Sequence, residues 1–130
     1  MAIDDKTRWV IDLDLLQSTS RSFSVLARDT LCPKCRKKLK VDTTEAKPAE
    51  LLKAIQNCCG KSTDYIHGSL PFQESIFRTF LANGNKPLTL EELGGKLNER
   101  RGIDTYRTSP AVLTRLMQND KYYGFRGISG

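Results

Sequence analysis

Two short cysteine clusters constrain this chain more than any other feature: Leu31-Cys32-Pro33-Lys34-Cys35 and Asn57-Cys58-Cys59-Gly60 hold all four of its cysteines. Two thiols separated by two residues, one of them a proline, form a tight turn that aims both sulfurs at one point, as metal-binding knuckles do. The second pair follows Cys35 after 22 intervening residues, a loop length suited to closing a tetrahedral site. The expectation is a structural zinc ion held by Cys32, Cys35, Cys58 and Cys59. Lys34, Arg36, Lys37, Lys38, Lys40 and Lys61 crowd the same turns and can offset the negative charge that four thiolates leave around a divalent cation.

Side chains of adjacent residues diverge in regular helix and strand. Cys58 and Cys59 can therefore share one ion only where the backbone turns, and Gly60 is read as the residue that permits the turn. His67, the sole histidine, is the substitute fourth ligand should one of the pair not reach, and otherwise a turn residue. The lack of an apolar signal segment and the acidic start Met1-Ala2-Ile3-Asp4-Asp5 argue against a disulfide framework, and a redox dithiol lacks its thioredoxin-like βαβ setting. An iron–sulfur cluster on the same cysteines stays open as the rival metal reading. Cys58-Cys59-Gly60 resembles the cysteine-cysteine-glycine signature of heterodisulfide-reductase-type proteins, although that family places its Cys-x-x-Cys after the pair and carries more cysteines.

Hydrophobic residues at 38%, with 8% aromatic, are lean for two unaided cores in 130 residues, and a metal staple in one half resolves the shortfall. No apolar run approaches bilayer length and no lipidation or secretory signal is present, so the expectation is a soluble cytoplasmic protein without a membrane partner. The net charge of +6 is unevenly spread: residues 1–30 carry four basic and five acidic groups, residues 31–70 eight and four, and residues 71–130 nine and six. Positive charge thus gathers around the cysteines and in the C-terminal part, a balance compatible with a polyanion partner.

Along the chain, Trp9-Val10-Ile11 with Leu13, Leu15 and Leu16 forms an apolar cluster too short to classify by period. Ser18-Thr19-Ser20 offers a cap for a helix from about Ser20 to Thr30, with Phe23, Leu26 and Ala27 at helical spacing. Pro48 opens a second helix lined by Leu51, Leu52 and Ile55 that ends at Cys58, so that the metal staples two helices. Lys61 to Ser69 reads as a linker. Beyond it, Phe72, Ile76, Phe77, Phe80 and Leu81 mark a helix closed by Asn83-Gly84. Thr89 caps another with Leu90, Leu93 and Leu97 inward. Ser109-Pro110 opens a third with Val112, Leu113, Leu116 and Met117 buried, and Tyr122 to Ile128 reads as a strand. The fold class is mostly α: a helical four-cysteine module over 1–69, then a domain over 70–130.

The stretches Asn83-Gly84-Asn85-Lys86-Pro87-Leu88-Thr89-Leu90-Glu91-Glu92-Leu93, Ser109-Pro110-Ala111-Val112-Leu113 and Tyr123-Gly124-Phe125 resemble the HARE-HTH type of winged helix, found in the delta subunit of bacterial RNA polymerase and in nucleic-acid enzymes. The resemblance covers about half the chain and implies a winged-helix domain over 70–130, with a truncated wing because one strand follows the third helix. It implies a nucleic-acid surface built from Ala111, Thr114, Arg115 and Gln118 on the outer face of that helix, with Arg107, Arg100, Arg101 and Arg126 nearby. Arginine can pair with guanine or phosphate, and glutamine with adenine. The expected function is that of a zinc-stabilised regulator that binds DNA, RNA or a protein of the transcription machinery; the alternative is a protein-binding adaptor. With no paired histidine and nucleophile, no glycine-rich phosphate loop, and a four-cysteine site closed to substrate, neither an enzyme nor a small-molecule substrate is expected.

Overall fold

The computed structural model describes residues 7–18, 23–39, 47–103, 106–120 and 122–128. Within them the chain runs through strand β1 (Arg8–Ile11), helices α1 (Leu13–Ser18), α2 (Phe23–Arg28), α3 (Pro33–Lys38) and α4 (Pro48–Asn57), a 3₁₀ turn (Cys59–Lys61), α5 (Phe72–Ala82), β2 (Leu88–Thr89), α6 (Leu90–Arg101), α7 (Pro110–Asn119) and β3 (Phe125–Ile128). The protein is mostly helical with one small antiparallel sheet. Among the described residues no helix is long and apolar enough to cross a membrane.

Helices α4 to α7 lie where the sequence predicts them, each for a local reason. Pro48 and Pro110 occupy first-turn positions, where a missing N–H is not needed. Thr89 and Glu92 form a reciprocal capping box, Glu92 N donating to Thr89 Oγ1 at 3.1 Å and Thr89 N to Glu92 Oε1 at 3.0 Å. The inward stripes Ile76, Phe77, Phe80 and Leu81 of α5, Leu93 and Leu97 of α6, and Leu113 and Met117 of α7 are buried, whereas Phe72, Val112 and Leu116, expected in the same stripes, are half-buried. The helix expected from Ser20 to Thr30 is α2, and Ser20 itself lies outside the described residues.

The sheet departs from expectation. Its strand order is β2-β1-β3, so the segment that period could not classify is the middle strand. Arg8 and Trp9 face Thr89 and Leu88 on one side, while Arg8 through Ile11 face Ile128 back to Phe125 on the other. Trp9 is buried between Leu88 and Gly127. β2 is too short to pair with Ile11, and Asn85 takes its place: Ile11 N donates to Asn85 Oδ1 and Asn85 Nδ2 donates to Ile11 O, both at 3.0 Å. Asn85 has φ of 55°, a left-handed conformation that asparagine tolerates better than most residues. Asn85→Ala should therefore lower stability by about 1–3 kcal/mol, read from the urea midpoint, because it strands two backbone groups of the middle strand.

Buried side chains from 1–69 and from 70–130 form one cluster: Trp9, Ile11, Phe23, Leu51, Ile55 and Ile66 join Phe77, Phe80, Leu93 and Phe125. Phe23 meets Phe77 edge-on at 6.4 Å. The stretch read as a linker is pinned rather than free. Tyr65 and Ile66 are buried, and the Tyr65 hydroxyl bonds Thr30 Oγ1 at 2.9 Å. Arginines bind its carbonyls: Arg78 donates to Tyr65 O at 2.9 Å, Arg100 to Ser62 O at 3.0 Å, and Arg101 to His67 O at 3.0 Å, Gly68 O at 3.3 Å and Leu70 O at 2.8 Å. A polar segment without period looks loose in sequence, yet distant guanidinium groups can satisfy its backbone.

Candidate metal centre

Each cysteine pair sits where one element ends and another begins. After α2 the chain turns through Asp29 and Thr30 and is extended at Cys32, which caps α3 with φ −71° and ψ 158°. Pro33 then starts the helix, and one turn brings Cys35 back beside Cys32. At the far end of α4, Cys58 leaves the helix with φ −135° and ψ −77°, and Cys59 begins the 3₁₀ turn. Those angles are neither helix nor strand, which is how two adjacent side chains come to face one point.

One sulfur from each of Cys32, Cys35, Cys58 and Cys59 lies within 4.8 Å of all the others, and none is in a disulfide. Cys32 Sγ is 3.9 Å from Cys58 Sγ and 3.4 Å from Cys59 Sγ. Four thiolates bound tetrahedrally at about 2.3 Å from one ion would stand about 3.8 Å apart. The Cys32 N–H donates to Cys59 Sγ at 3.2 Å, the kind of backbone support that orients ligand sulfurs. Cys35 and Cys59 are buried, Cys32 and Cys58 half-buried. The Cys35 backbone amide, with lesser help from neighbouring thiols, brings the Cys32 thiol down to about 7. Burial pushes the Cys35 and Cys59 thiols up. The donor set thus fits a thiophilic cation: two thiols that resist ionising in an apolar setting become stable thiolates once a metal shares the site.

His67 is not part of this cluster. Its Nδ1 accepts from Ser69 N at 3.2 Å and its carbonyl accepts from Arg101, so it is a turn residue, and the adjacent cysteines need no substitute. Gly60 serves a purpose other than the one read from sequence. It is absent from the glycines with positive φ, and what it supplies is closeness: an added Cβ would lie 2.8 Å from Ile55 O and 2.9 Å from Ala82 Cβ. The 3₁₀ turn therefore rests directly on α5, and Arg100 locks it there by donating to Gly60 O at 2.8 Å. Gly60→Ala should cost about 1–3 kcal/mol of stability through overpacking, seen as a lower denaturant midpoint.

The residues expected to read nucleic acid separate into two groups. Ala111, Arg115 and Gln118 are exposed on α7, and Thr114 is half-buried beside them. Arg107 is exposed, with its guanidinium 5.8 Å from the centre of the Phe72 ring. Arg126 is paired with Asp12 at 2.9 Å, which holds that carboxyl below its ordinary range, the Arg126 hydrogen bond being the largest cause. Arg100 and Arg101 turn inward to backbone carbonyls, and Arg101 also donates to Ser75 Oγ at 2.7 Å and lies over Phe72. Sequence reasoning missed this structural use. Its one visible sign is a pair of arginines in the last turn of a helix, where exposed cations are also common. No protein-family model, no curated protein and no solved structure matches the chain.

Proposed function

We propose that this chain is a zinc-stabilised winged-helix protein that binds nucleic acid, alone or within a transcription complex. The observation that carries the reading is the sheet. Helix α5, short strand β2, helices α6 and α7 and strand β3 follow one another in winged-helix order, and β1 enters between β2 and β3. On this reading, β1 takes the place in the sheet that the second strand of a wing would hold. This agrees with the HARE-HTH resemblance of residues 83–93, 109–113 and 123–125, and it leaves the outer face of α7 open to solvent. Zinc is favoured over an iron–sulfur cluster because sulfurs within 4.8 Å of one another suit one ion and leave little room for a multi-iron core.

A titration of labelled duplex DNA and single-stranded RNA at increasing salt tests the reading: affinity should fall linearly with salt on logarithmic axes. Arg115→Ala, which removes an exposed side chain outside the apolar stripe, should weaken binding by about 1–3 kcal/mol with the fold intact. Absence of binding to either nucleic acid at low salt would favour the adaptor reading. One observation supports that second reading: Ile103 and Tyr106, in the connection leading to α7, are 85% and 73% exposed, and large apolar side chains displayed in this way are typical anchors for a protein partner.

A further inference from the structure

The fold uses most of the cations near α7 for itself. Arg100 and Arg101 are bound to carbonyls and Arg126 to Asp12, and within α7 itself, Pro-Ala-Val-Leu-Thr-Arg-Leu-Met-Gln-Asn, Arg115 is the only cation. Positive charge is denser on α3, whose six residues read Pro-Lys-Cys-Arg-Lys-Lys with no acid. Arg36 braces the fold, donating to Arg28 O at 2.9 Å, whereas Lys34, Lys37 and Lys38 are exposed. Cys32 opens this helix with its sulfur 3.4 Å from that of Cys59. The first turn of α3 is therefore held against the 3₁₀ turn that carries Lys61, also exposed. A divalent ion on four thiolates leaves a charge of about minus two, which four exposed ammonium groups outweigh.

We propose that α3 together with Lys61 is the surface on which this chain takes the phosphate backbone of a nucleic acid, the metal centre fixing the turns from which the lysines project. The proposal rests on the nucleic-acid reading above and adds the site of its electrostatic contact. Lysine is a compact point charge that neutralises phosphate without reading sequence. The exposed positions of α3 are Pro33, Lys34, Lys37 and Lys38, with no large apolar side chain of the sort that would insert among lipids. In this arrangement the metal module supplies affinity, and α7, with one arginine, supplies orientation.

The test uses the full chain with its metal, carrying Lys34→Ala, Lys37→Ala and Lys38→Ala together, with circular dichroism and elemental analysis confirming fold and metal content. Binding to labelled duplex DNA and to single-stranded RNA is followed by fluorescence anisotropy across a salt series. The slope of log affinity against log salt should shrink by about 2–3, since each lost phosphate contact removes slightly under one, while Arg115→Ala shrinks it by about 1 at most. If the triple variant does not fold, Lys37→Ala with Lys38→Ala, at the end of α3 away from Cys32, should shrink the slope by about 2. A folded, metal-loaded variant with the parent's slope would overturn this surface while leaving the nucleic-acid reading in place. A parent chain that binds neither nucleic acid would overturn both.

Discussion

Treatment with a tight chelator is expected to unfold α2, α3, α4 and the 3₁₀ turn while the sheet and α5 to α7 keep their structure. Helices α2 and α3 have six residues each, well short of the length at which a helix persists unaided. Structural zinc sites contribute apparent folding energies of about 10–16 kcal/mol, as large as the entire stability of an ordinary domain. Without the ion, these short helices are left with the packing of Phe23, Ala27, Leu51 and Ile55 against the shared core, which must then offset their ordering entropy unaided. Helices α5, α6 and α7 retain buried stripes of their own, Phe77 and Phe80 among them. Hydrogen exchange reads the difference directly: amides of residues 47–61 should lose protection by about a thousandfold or more, equivalent to some 4 kcal/mol, and those of α5 far less. One zinc ion per chain by elemental analysis belongs to the same expectation, and acidification should release it as protons compete for the thiolates. A chain isolated without metal, with four freely titratable thiols, would remove the basis for a zinc centre, and a coloured chain containing iron and sulfide would replace the ion by a cluster.

Arg101→Ala is expected to lower stability by roughly 2–4 kcal/mol, an unusual cost for an arginine at the surface end of a helix. Its guanidinium joins three backbone carbonyls of residues 67–70 to Ser75 Oγ. Truncation leaves these acceptors to find water in a partly buried setting. Lysine cannot reproduce the fork, so Arg101→Lys should recover little. Arg115→Ala is the control, since Arg115 is exposed on α7 and should change the urea midpoint by less than about 0.5 kcal/mol. Equal, small effects at both positions would show that Arg101 is an ordinary surface cation available to a ligand.

What could be read in advance follows from how local each signal is. Pro48, Thr89 and Ser109-Pro110 act on the residues next to them, so the starts of α4, α6 and α7 were legible, and the two cysteine clusters met as their spacing requires. The middle strand was not legible. Trp9 to Ile11 derive their conformation from partners at Leu88 and Phe125 to Gly127, and three or four residues contain no period that could announce them. Gly60 shows a subtler failure: glycine suggests a left-handed turn, but here the missing side chain makes room for Ala82. The backbone bonds of Arg100 and Arg101 were not legible for a related reason: carbonyls, which Arg78 also binds, are present at every residue and leave no mark in the sequence.

The pairing of Arg8 with Ile128 also bears on how the protein assembles as it leaves the ribosome. All four cysteines lie before Lys61 and so are made before α5 and Arg100, against which their 3₁₀ turn comes to rest. β1 is the first of these elements to be synthesised, yet it must wait for β2 and then for β3, made last. The Arg8–Ile128 contact, so distant in sequence, adds only logarithmically to the entropy of closure, but pairing at such long range is slow to form. Until it forms, the apolar face of Trp9 and Ile11 is left without its neighbours on β3. A chain lacking Phe125 to Ile128 would keep β2 and Asn85 on one side of β1 but leave the edge that faces β3 unsatisfied, and an open strand edge invites association with other copies and capture by chaperones.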